Sequence, residues 1–157
     1  MATVGNSTLG MVLAYKVEAS AGTRPTSGYT AISGIKNIPS IGEEASAIDV
    51  TPLEETDFMQ YVAGLKDTGG NLAFTANNTD EFQTAWTAVM TAYSGLSGGK
   101  AMWFCVTHPN LTKGFYFTGE PVKLGFTSAD VNSALNATAN IVAGKVHGWD
   151  TKPTSGS

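Results

Sequence analysis

Two periods organise the apolar positions of this chain. Phe82, Ala85, Trp86, Val89, Met90 and Tyr93 fall at i, i+3, i+4, i+7, i+8 and i+11, a stripe that predicts an amphipathic α-helix. Asn78 stands three residues before Glu81, as in a capping box with Asn in place of Ser or Thr, and Asp80 and Glu81 suit the positive end of the helix dipole. Ser94-Gly95 and Gly98-Gly99 end the helix. Residues 11–17, 71–77, 101–107, 113–119, 122–127 and 138–148 are rich in apolar, aromatic and β-branched residues and predict strands, with clear alternation at Val122, Leu124 and Phe126. The apolar run from Leu9 to Tyr15 belongs to the first strand. Residues 22–28 (GTRPTSG) form a breaker-rich turn after it, so a hairpin with the scattered β-formers of residues 29–41 is expected. Pro39 and Gly42 should stop regular pairing.

From Gly42 to Gly70 neither period holds, and a long loop over residues 39–70, outside the core, is predicted. Glu43, Glu44, Asp49, Glu54, Glu55 and Asp57 place six of the chain's 13 acidic residues between positions 43 and 57, with no Lys or Arg among them. Such a cluster is tolerable only where solvent screens it or neighbouring chains supply cations. A loop of this length without structure of its own is unusual in a compact domain. Residues 1–150 read as one domain, and residues 151–157 (TKPTSGS) as a disordered polar tail. No internal repeat is visible.

Composition sharpens this picture. Hydrophobic residues make up 42% of the 157 positions, an ordinary share, but charged residues only 14%, well below the roughly 25% of typical soluble domains. Neutral faces cost less to desolvate, which suits a surface covered by neighbours. A net charge of −4 argues against a domain that grips phosphates. With Cys105 as the lone cysteine, no intrachain disulfide forms, and assembly in a reducing cytoplasm is permitted.

Candidate chemistry is sparse. Residues 95–100 (GLSGGK) resemble a phosphate loop, but the first glycine is misplaced, Ala101 replaces Ser or Thr, and the order is helix-loop-strand. His108 and His147 lack the spacing of metal ligands, and the acidic cluster lacks a calcium-loop pattern, so no cofactor or metal is expected. Cys105 sits between Phe104 and Val106, where a thiol behaves as a small hydrophobe. The glycosylation-like triplets at Asn6, Asn77, Asn110 and Asn136 arise readily in a Thr-rich chain. Ala19-Ser20-Ala21 mimics a signal-peptidase site, but no basic segment precedes it, and no apolar run is long enough to span a membrane. No convergent acid, base and nucleophile is visible, so the chain is not expected to be an enzyme.

Residues 29–35 (YTAISGI), 38–42 (IPSIG) and 48–51 (IDVT), followed by 64–67 (GLKD), a glycine turn and Leu72-Ala73-Phe74, occur in an order similar to that of major tail, or tail tube, proteins of long-tailed bacteriophages. The helix ending at Tyr93, the strand around Trp103 and Phe117-Thr118-Gly119 continue it, so the resemblance spans residues 5–148. It implies a β-sandwich of two packed sheets flanked by a helix, with a long loop after the early strands. It further implies a non-catalytic virion subunit assembled in the host cytoplasm into stacked hexameric rings. Its partners would be itself and the tape measure, tail terminator and baseplate or distal tail proteins, with DNA passing through without specific binding and no membrane involved. The corresponding loop reaches a neighbouring ring, which nominates Glu43, Glu44, Ile48, Asp49, Thr51, Glu54, Glu55, Asp57, Lys66 and Asp67 as inter-subunit contacts, with Lys36, Lys66 and Lys123 as cationic partners. No added domain is expected to decorate the tube. A tube component of a contractile injection or secretion machine shares this logic. A carbohydrate-binding or adhesive β-sandwich remains a different reading, with Trp103, Tyr116 and Trp149 as its exposed aromatics.

Overall fold

The computed structural model describes residues 5, 7, 10–68 and 70–154. Its elements, in chain order, are β1 (Val12–Val17), β2 (Thr30–Ile32), β3 (Ile35–Asn37), β4 (Glu44–Asp49), β5 (Tyr61–Asp67), β6 (Asn71–Asn77), α1 (Asp80–Ser94), β7 (Met102–Thr107), β8 (Lys113–Pro121), β9 (Gly125–Phe126) and β10 (Asn136–Thr151). The large sheet runs β2-β1-β7-β8-β10-β6-β3, with β9 added to β10, while β4 and β5 form a separate two-stranded sheet. All of these pairings are antiparallel. The two ends of the path, β2 and β3, are consecutive in sequence and linked only by Ser33 and Gly34, so the sheet must curl until its edges are neighbours. Leu13 and Ile32 from one end and Leu72, Phe74 and Ala76 from the other accordingly share one core with Phe82, Trp86 and Val89 of α1. The expected class, mainly β with two sheets and one helix, is found. The division of labour differs: the curled sheet holds the whole core, and the second sheet stands outside it.

Central strands of the curled sheet are buried on both faces. Along β7, Met102, Phe104 and Val106 point into the main core, while Trp103 and Cys105 point to the reverse face, where Tyr116 and Tyr29 cover them. Register pairs Phe104 with Phe117 and Cys105 with Tyr116, so the same partition continues into β8, and the Phe104 and Phe117 rings stack 5.4 Å apart. Strand β6 shows the simpler alternation of a strand with one wet face, burying Leu72, Phe74 and Ala76.

Strand β10 joins the two halves. Its first part pairs with β6 and its second with β8, and the two ladders overlap at Ile141 and Val142. Extra residues at Gly144 and His147 bulge the strand against β8, which increases its twist and lets it turn from one partner to the other. The Oγ of Thr118 accepts the Lys145 N–H (2.9 Å) beside the first bulge. Gly119 pairs with Ala143, next to the overlap: a Cβ there would stand 2.5 Å from Cγ2 of Ile141 and 3.1 Å from the Val142 carbonyl oxygen. Only glycine permits that approach.

A buried carboxylate fixes the start of the sheet. Glu18, 4% exposed, accepts hydrogen bonds from the Trp103 indole N–H (2.7 Å), the Gly22 N–H (2.9 Å) and the Ala101 N–H (3.1 Å). Burial pushes its carboxyl up, but these three donors outweigh burial and hold it below the ordinary carboxylate range.

Three local expectations are corrected. Thr79, not Asn78, caps α1, its hydroxyl accepting the Phe82 N–H at 3.1 Å, while the Asn78 carboxamide oxygen accepts from Gln83. The strand expected over residues 122–127 shrinks to Gly125–Phe126, and the Val122 carbonyl instead accepts the Trp86 indole N–H at 2.9 Å. The polar segment after residue 150 is tied down at its start: Thr151 ends β10, and the Thr154 N–H donates to the Thr26 carbonyl at 3.0 Å. Residues 155–157, Leu9, and Asn6 and Thr8 of the first glycosylation-like triplet lie outside the described residues, as does Gly69 of the glycine turn.

Gly119→Ala is expected to lower stability by about 1–3 kcal/mol in urea titration, the usual cost of overpacking, because Ile141 has no room to retreat. Gly125→Ala, whose added methyl carbon would stand 3.6 Å from its nearest neighbour, serves as the tolerant comparison. Glu18→Gln should cost about 1–3 kcal/mol at neutral pH by turning an amide towards donors that now face an acceptor. Since the folded carboxyl titrates below its ordinary value, that contribution is present above the ordinary value and is lost as pH falls through the folded one. The gap between wild type and Glu18→Gln should therefore narrow in acid; a gap independent of pH would contradict the assignment.

Candidate functional site

The predicted loop is a β-hairpin. β4 and β5 pair antiparallel through Glu44 with Asp67, Ala45 with Lys66, Ala47 with Ala63, Ile48 with Val62 and Asp49 with Tyr61, with a bulge between Ala45 and Ala47. Its lack of sequence period has a physical cause: every residue of β4 is exposed, and so is β5 apart from Gly64, so neither face is selected to be apolar. Gly64 lets Ile48 pack across the pair, since a Cβ there would lie 3.2 Å from Ile48 Cδ1. Ile41, inside the stretch expected to stay out of the core, packs against it as Ile38 does, while among described residues 42–70 none belongs to it.

Large apolar side chains nevertheless crowd the hairpin. Leu65 is 89% exposed and Phe58 79%, Leu53 is fully exposed, and Ile48, Val50, Met59, Tyr61 and Val62 are about half exposed or more. A solitary two-stranded hairpin is marginally stable at best in water, and an apolar surface of this extent marks an interaction site.

Carboxylates of the cluster shape the tip between the strands. Oε1 of Glu55 accepts the N–H groups of Asp57 (3.0 Å), Thr56 (3.1 Å) and Phe58 (3.5 Å), and Oε2 accepts from the Gln60 side chain at 3.2 Å. These bonds, led by that from Asp57, hold the Glu55 carboxyl below its usual range. Asp49 accepts the Thr51 N–H at 2.9 Å, and its carboxyl is lowered by bonding to Thr51. The Thr51 hydroxyl in turn accepts the Gln60 N–H at 2.7 Å.

All ten nominated residues thus lie on the hairpin or at its base, in two groups. Asp49, Thr51 and Glu55 are engaged in building the tip, and Lys66 pairs with Glu43 at 3.0 Å. Glu44, Ile48, Glu54, Asp57 and Asp67 are exposed. Of the nominated cations, Lys36 donates to the Asn136 side chain at 3.0 Å. Sequence reasoning fixed on the acids and missed Val50, Leu53, Phe58, Met59, Tyr61, Val62 and Leu65. The usable signal was apolar density without period, above all Phe58-Met59 and Tyr61-Val62 beside carboxylates.

Other candidates resolve differently. Trp103 and Tyr116 are buried, leaving Trp149 as the exposed member of the proposed aromatic platform, so that sugar-binding face does not exist. Burial pushes the Cys105 thiol up to about 11, which leaves it protonated and unreactive at neutral pH. His108 bridges the Ser7 carbonyl (2.6 Å) and the Asn110 N–H (3.0 Å). Among the described residues no three His, Cys, Asp or Glu side chains gather as a metal site, and no helix is long and apolar enough to cross a membrane.

No family model and no curated protein matches the sequence. Solved structures do resemble the fold. A chain of the sixfold-symmetrised anti-feeding prophage baseplate is 11% identical, with a TM-score of 0.62 over 94% of this chain and 96% of its own. The sheath/tube terminator structure of the PVC extracellular contractile injection system, in its extended state, gives 11% identity and a TM-score of 0.61 over 96% of this chain and 100% of the other. The tail of the empty GTA particle, refined with C6 symmetry, gives 11% identity and 0.58 over 94% and 99%. These likenesses extend over nearly the whole of both chains, and the fold is therefore one found in tails and tubes of phage-like particles.

Glu55→Ala should loosen the hairpin tip while leaving the core intact. Amide hydrogen exchange at residues 56–60 is expected to speed up with the urea midpoint unchanged. Because the Glu55 carboxyl is lowered in the folded tip, the extra protection of wild type over Glu55→Ala at the same pH should be present above the ordinary carboxylate range and vanish as pH falls through the folded value.

Proposed function

We propose that this chain is a non-catalytic structural subunit of a tail tube, in a bacteriophage or a phage-derived injection particle, and that copies join into sixfold rings that stack around a channel. The observation that carries this reading is the hairpin: a strand pair with apolar side chains on both faces, attached to a core that does not need it. Such a segment reaches its stable state only when other subunits cover it. The fold likeness to chains from a sixfold-symmetrised baseplate, a tail refined with C6 symmetry and a sheath/tube terminator structure supports the same conclusion.

The chain's other features suit the role. Low overall charge leaves faces that are cheap to desolvate between subunits, and the net charge of −4 suits a bore through which DNA slides without being held. Partners would be copies of itself along the tube and, at its ends, tape measure, terminator and baseplate or distal tail proteins, within a virion tail assembled in the host cytoplasm. Contractile particles are the second reading, favoured by the injection-system chain that matches over its full length.

Purified protein should form rings or tubes without metal, nucleotide or DNA, visible by negative-stain microscopy, with sixfold class averages. A compact monomer at every concentration and ionic strength in light scattering would overturn the reading. Replacing residues 44–67 with a short Gly/Ser linker should preserve the body, as a twofold change of loop length costs only about 0.6 kcal/mol of closure entropy. Tubes should be lost. Tubes that persist, alongside a native-like circular dichroism spectrum, would remove the hairpin from assembly.

A further inference from the structure

Charge is divided unevenly between the hairpin and the body. Residues 44–67 contain six carboxylates and one lysine, leaving seven acidic and eight basic residues in the rest of the chain. The hairpin therefore carries all of the net negative charge, and the body is close to neutral and slightly positive. At the tip, Leu53 and Phe58 are fully or largely exposed, each with a carboxylate next to it in sequence, Glu54 and Asp57. Unlike Glu55, whose oxygens are taken by the tip's own N–H groups, these two carboxylates form no ion pair among the described residues.

The body holds a surface of matching character. Between α1 and β9 runs an open groove of about 450 Å³, lined by Trp86, Met90, Leu124 and Phe126 together with the polar residues Asn78, Gln83 and Thr87. β9 is only two residues long, and its Phe126 is 79% exposed. Lys123 is the one charged residue lining the groove, and it makes no ion pair among the described residues. Pockets of about 300–1,000 Å³ engulf drug-sized molecules, so the groove has room for two apolar side chains.

We propose that the hairpin tip of one copy docks into the α1–β9 groove of a second copy, Leu53 and Phe58 filling it while Glu54 and Asp57 face Lys123. This rests on the reading of the chain as self-assembling and names the surface by which it does so. The occupant is a second copy because the tip is exposed on its own chain and supplies both the apolar side chains and the sign of charge that the groove lacks. Apolar burial gives the contact its strength, and the charges give it register and exclude like-charged alternatives.

The test is a charge exchange between copies. K123E makes the groove acidic, and E54K/D57K makes the tip basic. Each variant alone sets like charges against each other, and each should need about tenfold more protein than wild type to assemble in light scattering. An equimolar mixture should recover the wild-type threshold, because each tip then meets a groove of opposite sign in the other variant. All substituted residues are exposed, so unchanged urea midpoints confirm that folding is intact. Wild-type assembly by K123E, or weakened assembly that mixing does not restore, would overturn the groove as the receptor while leaving self-assembly standing. Wild-type protein that never assembles would instead remove the reading on which this proposal rests.

Discussion

The close approach of Gly119 to Ile141 is the contact on which the rest of the architecture depends. One strand, β10, must hydrogen-bond β6 along its first part and β8 along its second, and the handover occurs where the two ladders overlap at Ile141 and Val142. Gly119 of β8 pairs with Ala143, one residue beyond the overlap, and a side chain there would run into Ile141, so the absence of a Cβ at 119 lets the strands stay close beside the handover. From that handover follow the adjacency of β2 and β3, the shared core of strands distant along the path, and the bed on which Phe82 and Trp86 of α1 lie.

Body and hairpin obey opposite economies. Within the body, buried polar side chains are satisfied: Glu18 gathers three donors, the Tyr116 hydroxyl donates to the Thr151 carbonyl at 2.6 Å, and Trp86 finds the Val122 carbonyl. In the hairpin some polar groups, such as Glu55 and Asp49, bond to the tip's own backbone, while Leu53, Phe58 and Leu65 face water. Carboxylate and hydroxyl bonding from Glu55, Asp49 and Thr51 gives the tip a defined turn, although a lone strand pair stays marginal in water.

Residues whose environment has one dry side were legible in the sequence. The helix showed itself through Phe82, Trp86 and Val89, which share one buried stripe, and β6 through Leu72, Phe74 and Ala76. β4 and β5 left no period because solvent surrounds them, so their strand character lay in pairing that only coordinates reveal. Alternation at Val122, Leu124 and Phe126 misled because the Val122 carbonyl serves an indole. At the helix start, Asn78 and Thr79 carry equally good capping groups, and backbone geometry decides for Thr79. Acidic clustering drew attention to the segment that folds as the hairpin but not to its apolar residues: carboxylates such as Glu55 build the tip, and Leu53 and Phe58 stand exposed among them.

Cys105 is held inside the sheet between Phe104 and Val106, beneath Tyr116, with its thiol kept protonated by burial. A chain whose native sulfur does not react under mild conditions is ready for selective conjugation. A single cysteine placed at an exposed tip position such as Thr56 becomes the one accessible thiol among the described residues, so a thiol-directed fluorophore or spin label can be attached there without first removing Cys105 from the packed interior.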